Sequence, residues 1–353
     1  MADRSAEVVQ RRYCAEALSG KMPGFGEVEY PDWRSLLGRL SSEARAIGWK
    51  GPLVLDEFPH LVDACVSLPS VMQNWVDHEA ASDGLLVAIA GSSQHMMQGL
   101  VLNDSSPLYG RALEAFPLRP IQAGWIGEAL GLEDPVKAVL STAVWGGIPR
   151  YWELAAPFGP NLDDAIDALV LDPMGVLHTE PDRLLSQEIP SAVSLRPILD
   201  VIGNGCHRLS EIAGRLGCPA TSLGRPLTRL QEMGLVVRET PFRETEKASK
   251  RALYKIGDPF FTFWFRVVAP HRAFLAGASP AARRQLWTQA KAAIAAMAWE
   301  ALCRAAAPGL AGQTESSAWS PAARWWHGAA PEWDVVLATV DGRKGAVGEV
   351  RWS

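Results

Sequence analysis

The sequence contains little of what marks a secreted, zinc-binding or membrane-spanning protein. Its five cysteines are scattered and form no C-x-x-C pair, so neither a zinc module nor a disulfide framework is indicated. The amino terminus has no apolar core of the kind that signal peptides carry. The nearest approach to a membrane helix, residues 292–302, is too short and contains Glu300. We therefore expect a cytoplasmic protein with reduced thiols and no membrane attachment.

The chain also lacks a strong excess of either charge, which argues against nucleic-acid binding through overall charge. It has 34 lysines and arginines and 39 aspartates and glutamates, for a net charge of −5. Any contact with nucleic acid must then come from a local basic patch. With 353 residues, 48% of them hydrophobic, the chain is long enough for two or three domains that each have a core.

A phosphate-binding loop of the form G-x-x-x-x-G-K-[ST] is missing as well. The nearest match, residues 19–22, has no glycine five positions before Gly20 and no strand before it. Met22 stands where a Mg²⁺-binding hydroxyl would be required. The other Gly-Lys segment, residues 342–345, is typical of a hairpin turn.

The most informative stretch that is present is an apolar run that ends in two acids. Residues 52–55 predict a buried strand, and Asp56 and Glu57 follow directly. Carboxylates at the carboxyl end of such a strand lie at the ligand-binding edge of an open α/β sheet. In P-loop ATPases the first acid helps to hold Mg²⁺ on the nucleotide and the second polarises the attacking water. The dipeptide is equally compatible with a solvated acidic turn.

A second buried strand, predicted for residues 85–90, also ends in polar residues. In ATPases with an additional central strand, this neighbouring strand ends in a sensor of the γ-phosphate, and Ser92 or Ser93 fits that position. The alternative is a Gly-Ser turn in which Ser93 caps the following helix.

Other segments have clear secondary-structure patterns. Apolar residues at helical spacing predict a helix over Trp33–Ile47 and a second over residues 61–76. The aromatic run 260–265 favours core packing over stacking on bases.

Four short motifs arrive in an order that is specific in combination. They are L-D-E-F-P-x-L at 55–61, G-S-S-x-x-M-M at 91–97, S-P-L-Y-G-R at 106–111 and G-G-I-P-R-Y at 146–151. The chain thereby resembles the archaeal-type AAA+/STAND-related ATPases, a prokaryotic family with a P-loop ATPase core, a winged helix and a nuclease-like C-terminal domain.

The resemblance implies ATP and Mg²⁺ as cofactors. It also implies that Arg111 senses phosphate and that Gly147 and Pro149 belong to a helical lid that contacts the nucleotide. The residues themselves leave alternatives open. Arg111 is as well explained by a surface ion pair, and the Gly-Pro element by a helix end.

Residues 188–258 show the order of a winged helix. Helices are predicted at 194–202, 209–217 and 222–233, followed by strands at 235–239 and 252–256. Acidic residues dilute the charge of the wing, and winged helices also bind proteins, so duplex DNA and a protein are both expected partners. The side chains that would contact DNA are Arg225, Thr228, Arg229, Lys250 and Arg251.

The C-terminal segment resembles a PD-(D/E)xK nuclease core. Asp334 and Glu349 match its metal-binding acids, and Glu300 on the preceding long helix matches more loosely. Arg351 stands where the family has a lysine. Because arginine does not release its proton, charge stabilisation is the role left to it.

Together these patterns predict an α/β chain in four parts. A partial P-loop (ASCE) parallel sheet without Walker A spans 1–127 and a helical lid spans 128–187. A winged helix-turn-helix spans 188–258 and a truncated restriction-endonuclease-like α/β domain spans 259–353.

Two accounts explain the lack of a Walker A segment. The chain is part of a longer ATPase, or it is a degenerate relative that kept the fold and lost catalysis. We expect an ATP-binding protein that couples nucleotide to a DNA-binding module and hydrolyses little ATP alone. It would act as a homo-oligomer or with a partner that supplies the P-loop. The alternatives are a DNA-binding or protein-interaction module without nucleotide activity, and a Mg²⁺-dependent nuclease.

Overall fold

The structure, a computed structural model, describes residues 1–92, 94–101, 103–188, 195–245, 251–314, 317–328 and 330–353. The chain divides into two compact units, Met1–Leu118 and Arg119–Ser353, and each unit has its own apolar core. Ser93 and Lys250, which the sequence singles out, lie outside the described residues.

The first unit surrounds two short strands with helices. Its elements are α1 (Glu7–Leu18), α2 (Trp33–Ile47), β1 (Leu53–Leu55), α3 (Phe58–Ala64), α4 (Leu68–Trp75), α5 (Ala81–Asp83), β2 (Val87–Ile89) and α6 (Gln94–Val101). The bounds of α2 are those predicted. Asp32 caps this helix by accepting a hydrogen bond from the Ser35 amide (2.7 Å), and Gly48 ends it with a φ of 69°.

The sequence predicts one helix over residues 61–76, but the structure contains two helices with a break at residues 65–67. The chain leaves helical geometry at Cys65, where φ is −143°, and α4 begins three residues later with Pro69 in its first turn. Proline lacks the amide that would continue the hydrogen bonding of α3, so it favours the start of a new helix over the interior of a longer one.

Strands β1 and β2 are parallel, with Leu53 opposite Val87 and Leu55 opposite Ile89. The pairing continues beyond both strands, because the Ala90 amide donates to the Leu55 carbonyl (3.0 Å) and the Phe58 amide donates to the Ala90 carbonyl (2.8 Å). The carboxyl ends of the two strands therefore meet at one edge of the sheet.

The second unit is mainly helical. Its elements are α7 (Ile126–Leu130), α8 (Pro135–Trp145), α9 (Pro149–Ala155), α10 (Leu162–Ile166), α11 (Glu180–Glu188), α12 (Arg196–Gly203), α13 (Leu209–Leu216), α14 (Gly224–Glu232), β3 (Val236–Glu239), β4 (Leu253–Ile256), α15 (Pro259–Phe263), α16 (Arg272–Leu275), α17 (Pro280–Thr314), β5 (Ala323–Trp325), β6 (Trp333–Ala338) and β7 (Gly345–Gly348). The aromatic run 260–265 contributes five buried rings to its core, as the sequence predicts. In the described part of the chain, no helix has both the length and the apolar character needed to cross a lipid bilayer.

Helices α12–α14 are followed by an antiparallel hairpin, with Val236 opposite Ile256 and Glu239 opposite Leu253. A bridge between Arg208 and Leu253 adds a third short strand position to the hairpin. Further on, β5, β6 and β7 form an antiparallel sheet in that order.

Candidate functional site

The two acids and the serine that the sequence predicts as neighbours lie together at the carboxyl edge of the parallel sheet. Oε2 of Glu57 accepts hydrogen bonds from the hydroxyl of Ser92 (3.1 Å) and from its amide (3.3 Å). Glu57 has φ 53° and ψ 44°, a left-handed conformation that costs a non-glycine residue about 1–2 kcal/mol. This backbone turns the chain from β1 into α3 directly after Asp56.

Asp56 is half-buried beside Glu57. Its Oδ1 accepts a hydrogen bond from the Glu57 amide (3.0 Å), and its backbone carbonyl accepts one from the Ala2 amide (2.9 Å). The residue also lines a small cavity of about 60 Å³ with Trp33 and Cys14, and burial raises the pKa of the Cys14 thiol to about 11. Because ligand pockets for molecules of nucleotide size measure roughly 300–1,000 Å³, this cavity itself has room only for water or an ion.

The oxygen ligands at this edge suit Mg²⁺, which proteins commonly bind through one or two carboxylates together with substrate phosphates. Nowhere in the described ranges do three or more His, Cys, Asp or Glu side chains gather in a group that could hold a metal by themselves. A cation held by Asp56 would therefore need oxygen atoms from a phosphate ligand to complete its coordination.

Arg111 belongs to the same unit but is bound to another acid. Its guanidinium forms an ion pair with Asp77 (Nη2 to Oδ2, 2.8 Å) and donates to the carbonyls of Pro107 (3.0 Å) and Tyr109 (3.1 Å). The guanidinium holds the pKa of Asp77 below its usual value. The structure thus contains the surface ion pair that is the alternative explanation for Arg111, and phosphate sensing by Arg111 stays a prediction.

The Gly-Pro element of the second unit has a clear packing role. A Cβ atom on Gly147 would lie 2.2 Å from the Ile121 carbonyl oxygen, and the Ile121 amide donates to the Gly147 carbonyl (2.8 Å). Pro149 starts α9, where its missing amide costs nothing. Contact of Gly147 and Pro149 with nucleotide stays a prediction.

Helix α14 exposes the polar residues predicted for DNA contact. Arg225, Thr228 and Arg229 are exposed, while Leu227 and Leu230 are buried on the opposite face. Residues 195–257 contain eleven lysines and arginines and six aspartates and glutamates, although the whole chain has a net charge of −5. Positive charge is therefore concentrated in this segment of the sequence, although Arg208, Arg251 and Lys255 are paired with acids.

Arg251 is engaged inside the protein. Its Nη1 donates to the Trp326 carbonyl (3.3 Å), the indole of Trp326 donates back to the Arg251 carbonyl (3.1 Å), and the guanidinium pairs with Glu244. Direct contact of Arg251 with phosphate stays a prediction, since its side chain already holds the loop after β3 against the C-terminal sheet.

The acids that the sequence predicts for a nuclease-like metal site interact with other groups of the protein. Glu300 pairs with Arg304 (2.6 Å) and with Arg324 (3.1 Å). Oδ2 of Asp334 accepts a hydrogen bond from the Val350 amide (2.9 Å). Ion pairs with two arginines leave Glu300 poorly suited to bind a metal. The i,i+4 spacing on one helix could have indicated Arg304, but nothing in the sequence indicates Arg324.

The last of these acids, Glu349, is exposed and pairs with Arg351 (3.2 Å). Glu239, at the end of β3, pairs with Lys255 (2.8 Å) and lies 3.5 Å from Arg324. Burial would raise its pKa, but Lys255 and Arg324 more than offset that effect and lower it.

Parts of the chain match one protein family and one longer relative. Residues 264–353 match the DUF234 family, described as archaeal and bacterial proteins of unknown function. Over 247 residues the chain is 32% identical to the uncharacterized protein MJECL04 of Methanocaldococcus jannaschii, a match that covers 69% of this chain and 53% of that protein. The chain thus spans about half the length of this curated relative.

A solved structure, the Walker-type ATPase PABY2304 of Pyrococcus abyssi, is similar with a TM-score of 0.55. The match covers 74% of this chain and 78% of that chain, at 18% sequence identity. At this identity the likeness shows a shared fold. The mixed α/β fold predicted from the sequence is therefore similar to that of a Walker-type ATPase.

Proposed function

We propose that Asp56, Glu57 and Ser92 form part of a Mg²⁺-nucleotide site, and that the chain couples this site to a winged helix that binds duplex DNA. The observation that carries the proposal is the contact between Glu57 and Ser92 beside Asp56, at the joined carboxyl ends of two parallel strands. Ligands bind at this edge in open α/β sheets. The similarity of fold to a Walker-type ATPase supports the assignment.

In this account each residue has one task. Asp56 provides an anionic oxygen to Mg²⁺, which when bound neutralises phosphate charge. The two donors of Ser92 fix the Glu57 carboxylate, so that this carboxylate orients water beside the nucleotide. The 353 residues contain no G-x-x-x-x-G-K-[ST] segment, so in this account the backbone that cradles the phosphates comes from a partner that carries such a segment.

For residues 195–257 we propose a winged helix whose third helix, α14, enters the major groove. Three helices, a two-stranded hairpin and the bridge at Arg208 support this assignment. The net positive charge of the segment and the exposure of Arg225 and Thr228 favour a polyanionic partner.

The nucleotide part is tested by binding of ATP in the presence and absence of Mg²⁺. We expect Mg²⁺ to strengthen binding, and we expect Asp56→Asn to remove at least half of that gain. Asp63→Asn is the matched control, because Asp63 is an exposed acid of the same unit whose nearest charged partner is His60 at 4.0 Å. Binding that is equal in both variants and independent of Mg²⁺ would refute the assigned role of Asp56, and no binding of ATP at all would leave a DNA-binding protein without nucleotide activity.

A further inference from the structure

The loop between β3 and β4 spans residues 240–252, and we call it the wing loop. Its described parts, residues 240–245 and 251–252, are held against the C-terminal sheet. The Phe242 amide donates to the Arg324 carbonyl (2.8 Å), and the Trp326 indole donates to the Arg251 carbonyl (3.1 Å). Both described parts of the wing loop are therefore fixed to β5 and the residue after it.

One guanidinium strengthens this attachment. Arg324 is nearly buried and pairs with Glu239 at the end of β3 (3.5 Å), with Glu300 on α17 (3.1 Å) and with Glu332 before β6 (3.1 Å). Charges that are paired in this way favour one arrangement of the elements that carry them. The base of the wing loop and the C-terminal sheet are thus positioned together.

The wing loop also reaches the turn between β6 and β7. Arg243 is exposed and has a φ of 65°, and its guanidinium lies 5.5 Å from the centre of the Phe242 ring. A Cβ atom built on Gly342 would lie 3.8 Å from Nη2 of Arg243. The cationic end of Arg243 is therefore adjacent to the turn that contains Arg343.

This turn is ordered by its own acid. The Asp341 carboxylate accepts hydrogen bonds from the Thr339 hydroxyl and from the Arg343 amide (3.1 Å), while Gly342 has a φ of 70°. The side chain of Arg343 is 85% exposed and lies 3.6 Å from Asp341. A fixed backbone thus presents this arginine to solvent.

We propose that Arg243 and Arg343 extend the DNA contact of the winged helix onto the β6–β7 turn, as cations that bind backbone phosphates of the same duplex. This inference rests on the proposed function. Phosphate contacts from arginines position a protein on DNA without reading sequence, and loops whose backbone is already ordered lose little backbone entropy on binding. The C-terminal segment would then contribute to DNA binding through the β6–β7 turn, at the opposite end of these strands from Asp334 and Glu349.

The test is the salt dependence of binding to a duplex of about 20 base pairs, measured by fluorescence anisotropy between about 50 and 200 mM salt. Arg343→Ala should weaken binding several-fold and reduce the slope of log K against log salt by about 1, with no change of sequence preference. Arg343→Lys should retain most of the slope. Arg284→Ala is the matched control, because Arg284 is an exposed arginine of the same unit that also pairs with an acid, Asp164 (3.1 Å).

The double variant Arg225→Ala plus Arg229→Ala separates this inference from the proposed function. If the double variant weakens binding while Arg343→Ala behaves like Arg284→Ala, the inference is wrong and the winged helix still binds DNA. If the wild-type chain shows no salt-dependent duplex binding, both are wrong. An effect of Arg284→Ala equal to that of Arg343→Ala would also overturn the inference, since the loss of binding would then not be specific to the turn.

Discussion

Glu57 accepts two hydrogen bonds from Ser92, a residue 35 positions further along the chain. The contact exists because β1 and β2 are parallel and end at the same edge of the sheet, so the polar residues that follow the two strands lie close together. A left-handed backbone at Glu57 directs the carboxylate toward Ser92. This relationship links the local sequence to the proposed chemistry.

The left-handed conformation of Glu57 can be tested by stability. Glu57→Gly and Glu57→Ala both remove the carboxylate, but only glycine relieves the strain. We expect the glycine variant to be more stable by about 0.5–1 kcal/mol in urea unfolding, because the strain relieved exceeds the extra entropy that glycine loses. At Asp63, inside α3, the order should reverse by about 1 kcal/mol. A glycine variant less stable than alanine at position 57 would contradict the assigned conformation.

The close approach at Gly147 predicts a large effect for the smallest side chain. Gly147→Ala would bring a methyl group within 2.2 Å of the Ile121 carbonyl, so we expect a loss of about 2–3 kcal/mol in the free energy of unfolding. Gly214→Ala is the control within the same unit. Gly214 is helical with open space around it, and its replacement should be neutral or stabilising by about 0.5–1 kcal/mol. Equal effects at both positions would disprove the contact.

His207 predicts a dependence of stability on pH. Burial lowers the pKa of this histidine, whose Nδ1 donates to the Tyr254 carbonyl (3.0 Å). A lowered pKa means that the unfolded chain binds the proton more readily. The contribution to stability is therefore complete above the unfolded pKa of about 6.5 and is lost as the pH falls through the lower folded value.

Unfolding midpoints for the wild type and His207→Gln, measured at about pH 7 and about pH 5, test this linkage. The wild type should lose more stability on acidification than the variant. His271→Gln serves as a control histidine of the same unit, whose own Nδ1 contacts the Val267 carbonyl one helical turn earlier. An identical pH response in wild type and His207→Gln would refute the prediction.

The ion pairs of Arg324 predict a strong and non-additive effect. Arg324→Ala removes a nearly buried cation that Glu239 and Glu300 share, while Lys255 and Arg304 stay paired with these acids, so we expect a loss of about 1.5–3 kcal/mol in the free energy of unfolding. Glu300→Gln should cost less in this variant than in the wild type, because its interaction with Arg324 is already gone. Simple addition of the two single effects would show that the two side chains do not interact.

Much of the local structure could be read from the sequence. Apolar spacing predicted α2, and short apolar runs predicted β1, followed by two acids, and β2, followed by Ser92. The break between α3 and α4 was missed, because the apolar spacing continues across it while Pro69 favours a new helix start.

The partners of the charged residues could not be predicted. Arg111 and Asp77 lie 34 positions apart, and Glu300 and Arg324 meet only through the packing of a helix on a sheet. Neither pairing leaves a periodic trace in the sequence. A charged residue can be recognised as exposed or buried from its surroundings, but its partner depends on tertiary structure.

The most direct test of the proposed nucleotide site replaces Mg²⁺ with paramagnetic Mn²⁺ in the presence of ATP and records the amide signals of the labelled protein. The account predicts that the signals of Asp56, Glu57 and Ser92 broaden with Mn²⁺ and ATP together, and that Asp56→Asn greatly reduces the effect. Unchanged signals at these three residues, or broadening centred instead on Asp334 and Glu349, would contradict it.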